Sequence, residues 1–187
     1  AGDSAITWAN AIKSEGGQGQ IVCVDPWTPY FKANRDMVNK APLVMEEALK
    51  SDKIFQLFLH NIKSANVFSM ITPMRGLSDK VLLMLREEGF NIAFIDGSHY
   101  YSNVINDFKN SEKLICKGGI LCGDDLELQS HEIDIEFAEA NKEIDMTLDP
   151  KTGKEYHPGV SLAVRDFFKG PVSSSKGFWA MRKTRNG

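Results

Sequence analysis

The sequence predicts an α/β fold with a doubly wound, mostly parallel sheet. Short apolar runs of strand length alternate with amphipathic runs of helical length. Two of the apolar runs end in acid, one at Asp96 and the other at Asp124-Asp125. Helical runs of this length join parallel strands by right-handed crossovers. Because parallel strands all end at the same edge of a sheet, we expect these acids to lie at the edge where open α/β folds bind ligands.

The first half of the chain predicts a helix, a strand and then a less regular region. Asp3 or Ser4 caps the first helix, and the glycine pair 16–17 ends it. An all-apolar strand over 21–24 then leads into Asp25. Further on, the pattern predicts helices over 43–49 and 52–62, a strand over 66–71 and a loop over 72–76.

The second half is more regular until residue 126. Ser78 caps a helix that Gly89 closes, and residues 126–156 are polar and acidic and interrupt the alternation. We expect this segment to be an insertion that covers the ligand edge as a lid. The remaining predicted elements are a strand over 91–95, a helix over 102–115, a strand over 120–123, a helix around 160–167, and closing strands at 171–172 and 177–183, with an antiparallel strand at the C-terminal end.

Composition narrows the class of protein. The 187 residues suit one domain, and the formal net charge of −3 gives no reason to expect nucleic acid as a partner. No apolar run reaches membrane-spanning length, so no membrane association is expected. Three cysteines without framework spacing predict free thiols in a reducing, cytoplasmic setting. Oligomeric state is open, and a homo-oligomer is one alternative.

The acids at the two strand ends predict a cation site. Asp124 and Asp125 are adjacent like charges, and Asp96 nearby adds to their repulsion. A divalent cation relieves that repulsion, and an all-oxygen set suits Mg²⁺, Mn²⁺ or Ca²⁺ rather than zinc. The alternative is that one aspartate caps a helix and another faces solvent.

His99 is the candidate general base. It lies three residues past Asp96, across a turn that Gly97 makes easy, and its ordinary pKa is near neutrality. His157 is interpreted as a helix cap or pocket wall and is left outside the site. Glu127 is assigned to a solvated acidic face.

Asp25 and Trp27 are the candidates for cofactor contacts. An acid at the end of this strand is placed where nucleotide-binding sheets hold ribose hydroxyls. The alternative for Asp25 is a solvated carboxylate at a strand end. For Trp27, stacking on a ligand base and simple packing are both open.

At these residues the chain resembles the class I S-adenosylmethionine-dependent methyltransferases. The run Val24-Asp25-Pro26-Trp27 resembles the end of that family's second strand, and Gly2-Asp3-Ser4 the tail of its glycine-rich first motif. The resemblance implies a Rossmann-like sheet with helices on both faces, formed as one methyltransferase domain over 1–187. It also implies that the first strand lies upstream of residue 1. The cofactor-binding residues that it implies are Gly2, Ser4, Asp25, Trp27 and Asp96.

Within that fold, the run 95–100 and the run 118–125 are most similar to the metal-dependent O-methyltransferases. Within these, the two runs resemble the macrolide-sugar O-methyltransferases with their cephalosporin-hydroxylase-like relatives. The resemblance implies that Asp96, Asp124 and Asp125 hold Mg²⁺ or another divalent cation and that His99 is the base. Catechol O-methyltransferases have a lysine at the position of His99 and an asparagine at that of Asp125, so a catechol substrate is not favoured.

The expected function is therefore O-methyl transfer from S-adenosylmethionine to a hydroxyl of a small molecule, of sugar or natural-product type. An NAD-dependent oxidoreductase is the alternative, because related sheets bind NAD. A non-catalytic cofactor-binding domain is a third possibility. The intact set of Asp25, Asp96, His99 and the acidic pair argues against it.

Overall fold

The structure, a computed structural model, describes residues 1–29 and 49–184. The helix expected over 43–49 lies outside these ranges except for its last residue. The described residues form two compact units, one of 1–29 with 49–81 and the other of 82–184. Each unit is described by itself, and the single domain over 1–187 stays a prediction.

The first unit contains a small parallel sheet and the helices that pack with it. Strands β1 and β2 run parallel, from Ile21 opposite Ile71 to Asp25 opposite Arg75. The elements in chain order are α1 (Asp3–Ser14), β1 (Ile21–Asp25), α2 (Lys53–Ser64), a 3-10 turn (Phe68–Met70), β2 (Ile71–Arg75) and α3 (Ser78–Val81).

The core of the first unit forms between the apolar faces of α1 and α2. Ala9 and Ile62 are fully buried, and Phe58 is nearly so. Gly2 precedes α1 with φ of 83°, and a Cβ there would lie 2.9 Å from the Phe58 ring. The first turn of α1 therefore requires glycine at this position.

The strand predicted over 66–71 is wrong by about five residues. Residues 68–70 form a 3-10 turn, and β2 covers 71–75, where a loop was expected. Pro73 is a loop signal in the sequence, yet in the structure it lies opposite Cys23 of β1. In the described part of the chain β2 pairs only with β1, and a proline is tolerated in a strand with one free edge because its missing N–H need not face the partner.

The second unit is built on a four-stranded sheet in the order β3-β4-β8-β7. β3 and β4 are parallel, whereas β8 runs antiparallel to both β4 and β7. The α/β class and the antiparallel C-terminal strand are thus confirmed. The elements are a 3-10 turn (Leu82–Met84), β3 (Phe90–Ile95), α4 (Tyr101–Leu114), β4 (Ile115–Leu126), α5 (Ile135–Asn141), β5 (Thr147–Leu148), β6 (Glu155–Tyr156), α6 (Pro158–Phe168), β7 (Ser173–Ser175) and β8 (Gly177–Arg182).

The helix predicted from Ser78 to Gly89 is shorter than expected. The α-helical part ends at Val81, and a 3-10 turn follows over 82–84. Leu83 and Met84 are 66% and 74% exposed. Their apolar side chains find no core in the unit that contains them, so apolar spacing alone does not extend the helix.

Trp179 connects the core of the second unit to the end of β4. Its indole is 1% exposed and packs edge to face on Phe108, with ring centroids 5.1 Å apart. Its Nε1–H donates to the carbonyl of Asp124 at 3.2 Å. A Cβ on Gly123 would lie 2.7 Å from the Trp179 ring, so the close approach needs glycine. The acidic end of β4 is therefore held by a rigid core.

The segment 126–156, predicted to be an inserted lid, contains regular secondary structure and packed side chains. It contains α5 and the β5-β6 hairpin. Asp149 is fully buried, and its carboxylate accepts hydrogen bonds from the backbone N–H of Asp134 at 2.8 Å and of Thr152 at 2.7 Å. A small apolar cluster lies beneath the segment and consists of Leu128, Ile133, Ala138, Tyr156 and Leu162.

The cysteines and the helix lengths bear on the class of protein. Cys23, Cys116 and Cys122 are free thiols, as predicted. Over 1–29 and 49–184, the helices are too short or too polar to traverse a bilayer.

Candidate active site

The two acidic strand ends lie side by side at one edge of the second unit's sheet. β3 and β4 are parallel, and Ile95 lies opposite Gly123. Each of these paired residues is followed directly by an aspartate, Asp96 or Asp124. The residues that line the resulting open cleft include the predicted Asp96, His99, Asp124 and Asp125. Asp96 and Asp124 are exposed, whereas Asp125 and His99 are half-buried.

The end of β4 is irregular at its two adjacent aspartates. Asp125 has φ of 65°, and the pairing of β4 with β8 shifts register between Gly123 and Leu126. The N–H of Asp125 donates to Oδ1 of Asp124 at 3.0 Å. Aspartate tolerates this left-handed conformation because its short side chain can hydrogen-bond locally. Strand ends with such bulges often lie at functional sites.

His99 lies between two carboxylates. Its Nε2 is 3.0 Å from Oδ2 of Asp125, and its Nδ1 is 2.9 Å from Oδ1 of Asp145. Burial alone lowers the pKa of His99, but the hydrogen bonds and charges of the two carboxylates outweigh it and raise the pKa to about 10. The same contact with His99 lowers the pKa of Asp125 against the opposite effect of burial. Both ring nitrogens face a carboxylate, and this arrangement favours the protonated form of the ring.

His157 adds a second histidine to this site. It is 4% exposed, and its ring meets that of His99 at an angle of 60° with centroids 4.2 Å apart. Its Nδ1 is 3.1 Å from both carboxylate oxygens of Glu127. Burial raises the pKa of Glu127, but the hydrogen bond with His157 outweighs it and leaves the pKa below the usual value.

Glycine at position 159 allows the two histidines to approach. His157 precedes α6, whose first turn contains Pro158 and Gly159. A Cβ on Gly159 would overlap the carbonyl oxygen of His99 and would lie 2.5 Å from the backbone nitrogen of Tyr101. The start of α6 therefore packs directly on the loop that carries His99.

Two compact sets of metal-ligating side chains result, and both include His157. One is Asp125, Glu127 and His157, and the other is His99, Asp145 and His157; in each set the donor atoms lie within 4.8 Å of one another. Within the described ranges, the predicted ligands Asp96 and Asp124 belong to neither set.

Sequence reasoning missed His157, Glu127 and Asp145. Glu127 had a usable signal, because it follows Asp125 by two residues at the same strand end. The sequence predicts that His157 is a helix cap or pocket wall. His157 does occupy the cap position of α6, but its side chain makes no capping hydrogen bond. Asp145 had no signal, since nothing in its sequence distinguishes it from the other acids of the polar segment.

The predicted cofactor residues other than Asp96 lie in the first unit. Asp25 ends β1 with an exposed carboxylate that accepts a hydrogen bond from the N–H of Trp27 at 2.5 Å. Ser4 is exposed in the first turn of α1, and Gly2 precedes it. Trp27 is 5% exposed and packs on Phe58, with centroids 5.0 Å apart. This environment favours the packing interpretation for Trp27 over stacking on a ligand.

The family of the chain follows from comparison with known proteins. A family model described as a methyltransferase domain matches residues 1–126, which is more than half of the chain. The chain belongs to this methyltransferase family. The expected family is therefore confirmed, and the NAD-dependent alternative is not favoured.

Solved structures agree on the fold. The O-methyltransferase NovP superposes with a TM-score of 0.60 at 10% identity, covering 96% of this chain and 66% of that one. A protein from Staphylococcus aureus, described as a putative caffeoyl-CoA O-methyltransferase, superposes with a TM-score of 0.52 at 9% identity. The match covers 94% of this chain and 80% of that one. An O-methyltransferase family protein from Burkholderia thailandensis superposes with a TM-score of 0.50 at 8% identity, covering 100% of this chain and 57% of that one.

The chain thus spans slightly less than two thirds of the length of NovP, at 66%. At these identities the likeness establishes the fold alone. Among proteins with curated functions, none matches the sequence.

Proposed function

We propose that this chain transfers a methyl group from S-adenosylmethionine to a hydroxyl of a small molecule, with the help of a divalent cation. The observation that carries the proposal is His99 held between Asp125 and Asp145 in a chain of the methyltransferase family. A histidine is suited to removing a hydroxyl proton. NovP and the Staphylococcus aureus protein are both named as O-methyltransferases, which supports oxygen as the acceptor atom.

The cofactor is assigned to the residues that the sequence indicates. The exposed carboxylate of Asp25 would accept hydrogen bonds from the ribose hydroxyls, while Gly2 and Ser4 would face the cofactor from the start of α1. The remaining residue that the resemblance assigns to the cofactor is Asp96, which follows β3 in the second unit. Trp27 would act through its packing on Phe58, which fixes the turn after Asp25.

The cation is assigned to Asp96, Asp124 and Asp125. These carboxylates line one cleft, and Asp96 and Asp124 are exposed to solvent there. An all-carboxylate set fits Mg²⁺ in its chemistry. When bound, the cation would polarise the acceptor hydroxyl and offset the negative charge of Asp125.

His99 carries out the proton transfer in this proposal. Asp145 holds Nδ1, so Nε2 is the nitrogen that takes the proton from the acceptor hydroxyl. Both ring nitrogens face carboxylates, so the base role requires the charge of Asp125 to be offset. The acceptor oxygen then bonds to the methyl carbon as the carbon–sulfur bond breaks, and S-adenosylhomocysteine leaves. Alkoxide and sulfonium neutralise one another, so the enzyme mainly provides orientation and a dry site.

The segment 126–156 is proposed to cover the acceptor. It contributes Asp145 to His99, and the carbonyl of Lys142 accepts a hydrogen bond from the N–H of Tyr101 at 2.9 Å. These contacts connect the segment to both sides of the loop that carries the base. Movement of the segment would therefore change the geometry at His99.

A methyl-transfer assay tests the proposal. The purified protein is incubated with methyl-labelled S-adenosylmethionine, Mg²⁺ and a panel of sugars and phenols. Label on a hydroxyl oxygen of at least one acceptor is expected, with loss of transfer when EDTA replaces Mg²⁺. Label transferred to nitrogen or carbon instead of oxygen would contradict the assignment.

A further inference from the structure

Asp125, Glu127 and His157 form a compact donor set that the sequence did not predict. One donor atom of each lies within 4.8 Å of the other two. Asp125 and Glu127 are two residues apart at the end of β4, and His157 reaches them from the start of α6. Two rigid elements of the same unit therefore supply the three donors.

The spacing of these donors is close to that of a bound metal ion. Ligand atoms at about 2.1 Å from one ion lie at most about 4.2 Å from each other. The set within 4.8 Å would need only small side-chain movements to reach such a geometry. Nδ1 of His157 is already 3.1 Å from the Glu127 oxygens.

The three side chains differ in exposure as expected for a metal site that is open to solvent on one side. The side chain of His157 is 5% exposed, that of Asp125 25% and that of Glu127 35%. The imidazole therefore forms the closed end and the carboxylates lie toward solvent. The ring of His157 is also held in place by the edge of His99, and the tight start of α6 leaves it little freedom.

The charges and atom types of these three donors indicate which class of metal ion would bind. Two carboxylates neutralise a dication, whereas the set of His99, Asp145 and His157 offers only one. One imidazole nitrogen beside carboxylate oxygens favours Mn²⁺, Fe²⁺, Co²⁺, Ni²⁺ or Zn²⁺ over Mg²⁺ and Ca²⁺, which prefer oxygen alone.

We propose that Asp125, Glu127 and His157 form a binding site for a transition-metal dication with one nitrogen and two carboxylate ligands. The site shares Asp125 with the cation site of the proposed function and does not otherwise rest on methyl transfer. Glu127 and His157 are thereby metal ligands rather than a solvated acid and a pocket wall.

Metal titration of the metal-free protein tests the site. Mn²⁺ and Co²⁺ are titrated by calorimetry, and pulsed electron paramagnetic resonance of bound Mn²⁺ detects a coordinated imidazole nitrogen. Glu127→Gln and His157→Ala are each expected to weaken Mn²⁺ binding by about tenfold or more, the scale of losses at metal sites. The matched controls His131→Ala and Glu136→Gln change exposed residues of the same segment and should bind Mn²⁺ as the wild type does.

Asp96→Asn separates this site from that of the proposed function. Retained nitrogen-coordinated Mn²⁺ in Asp96→Asn, with loss in Glu127→Gln, supports the proposal. The proposal is overturned if Asp96→Asn loses Mn²⁺ binding while Glu127→Gln and His157→Ala bind Mn²⁺ as the wild type does. That result would leave the all-carboxylate site in place. Absence of Mn²⁺ and Co²⁺ binding in the wild type also overturns it, whatever the methyl-transfer assay shows. If circular dichroism shows that His157→Ala does not fold, the Glu127→Gln variant decides the result, because the side chain of Glu127 lies toward solvent.

Discussion

Oδ1 of Asp145 lies 2.9 Å from Nδ1 of His99. A carboxylate in this position keeps the proton on Nδ1 and directs Nε2 toward Asp125, which lines the cleft. The same arrangement is used where a carboxylate orients a catalytic histidine. Asp145 comes from the segment that follows α5, so the orientation of the candidate base depends on that segment.

Asp145→Asn is expected to lower kcat about 10²-fold to 10⁴-fold, the range of general base catalysis, because the amide can hold the wrong tautomer of His99. KM for S-adenosylmethionine should change little. Steady-state kinetics of both parameters measure this. Glu143→Gln is the control, since Glu143 contacts Ser102 and not His99. Equal kinetics in Asp145→Asn and wild type would remove Asp145 from the mechanism.

His99→Ala is expected to abolish turnover while S-adenosylmethionine still binds. The base contributes to the chemical step and is not assigned to the cofactor. Turnover and calorimetric binding are measured on the same preparation, with the exposed His131→Ala as control. Unchanged activity of His99→Ala would show that another group takes the proton.

Asp25→Ala is expected to weaken S-adenosylmethionine binding about tenfold or more, because hydrogen bonds to a charged group contribute about 1.5–3 kcal/mol. Calorimetry measures the dissociation constant. Asp52→Asn is the control, an exposed acid of the same unit that pairs with Arg75. An affinity of Asp25→Ala equal to that of Asp52→Asn would place the ribose elsewhere.

Gly159→Ala is expected to destabilise the protein by about 1–3 kcal/mol, because the added methyl group overlaps the backbone around His99. Urea denaturation measures the loss. Gly170→Ala is the matched control, since a Cβ there meets nothing within 4 Å. The account of the His99 loop is wrong if the two variants have the same free energy of unfolding.

Asp149 predicts a pH dependence of stability. Burial raises the pKa of this carboxyl, but the hydrogen bonds from Asp134 and Thr152 outweigh it and lower the pKa below the ordinary 3.8. The carboxylate therefore stabilises the fold fully above pH 3.8, and that contribution is lost as the pH falls through the lower, folded-state value. The urea midpoints of wild type and Asp149→Asn should differ most at pH 7 and converge at acid pH. A constant difference across this range, or a larger one in acid, contradicts the assignment, and the exposed Glu155→Gln serves as control.

Much of the fold follows from local pattern. The apolar runs that became β1 and β3, and the helix predicted over 52–62, lie close to their observed positions. β2 was misplaced because Pro73 usually signals a loop, and only its pairing opposite Cys23 shows why a strand accepts it. Such pairing is a long-range property that local sequence does not contain.

The candidate site likewise contains residues that local sequence predicts and residues that only long-range packing brings together. Asp96, His99, Asp124 and Asp125 were predictable because strand ends concentrate them in short runs, and they line one cleft. His157 and Asp145 approach His99 from distant parts of the chain, so only the packing of α6 and of the segment after α5 brings them there.

The most direct test of the central claim is calorimetric titration of the protein with S-adenosylmethionine and with NAD, each with and without Mg²⁺. The account predicts that S-adenosylmethionine binds and NAD does not. Binding of NAD alone, or of neither compound, would contradict it.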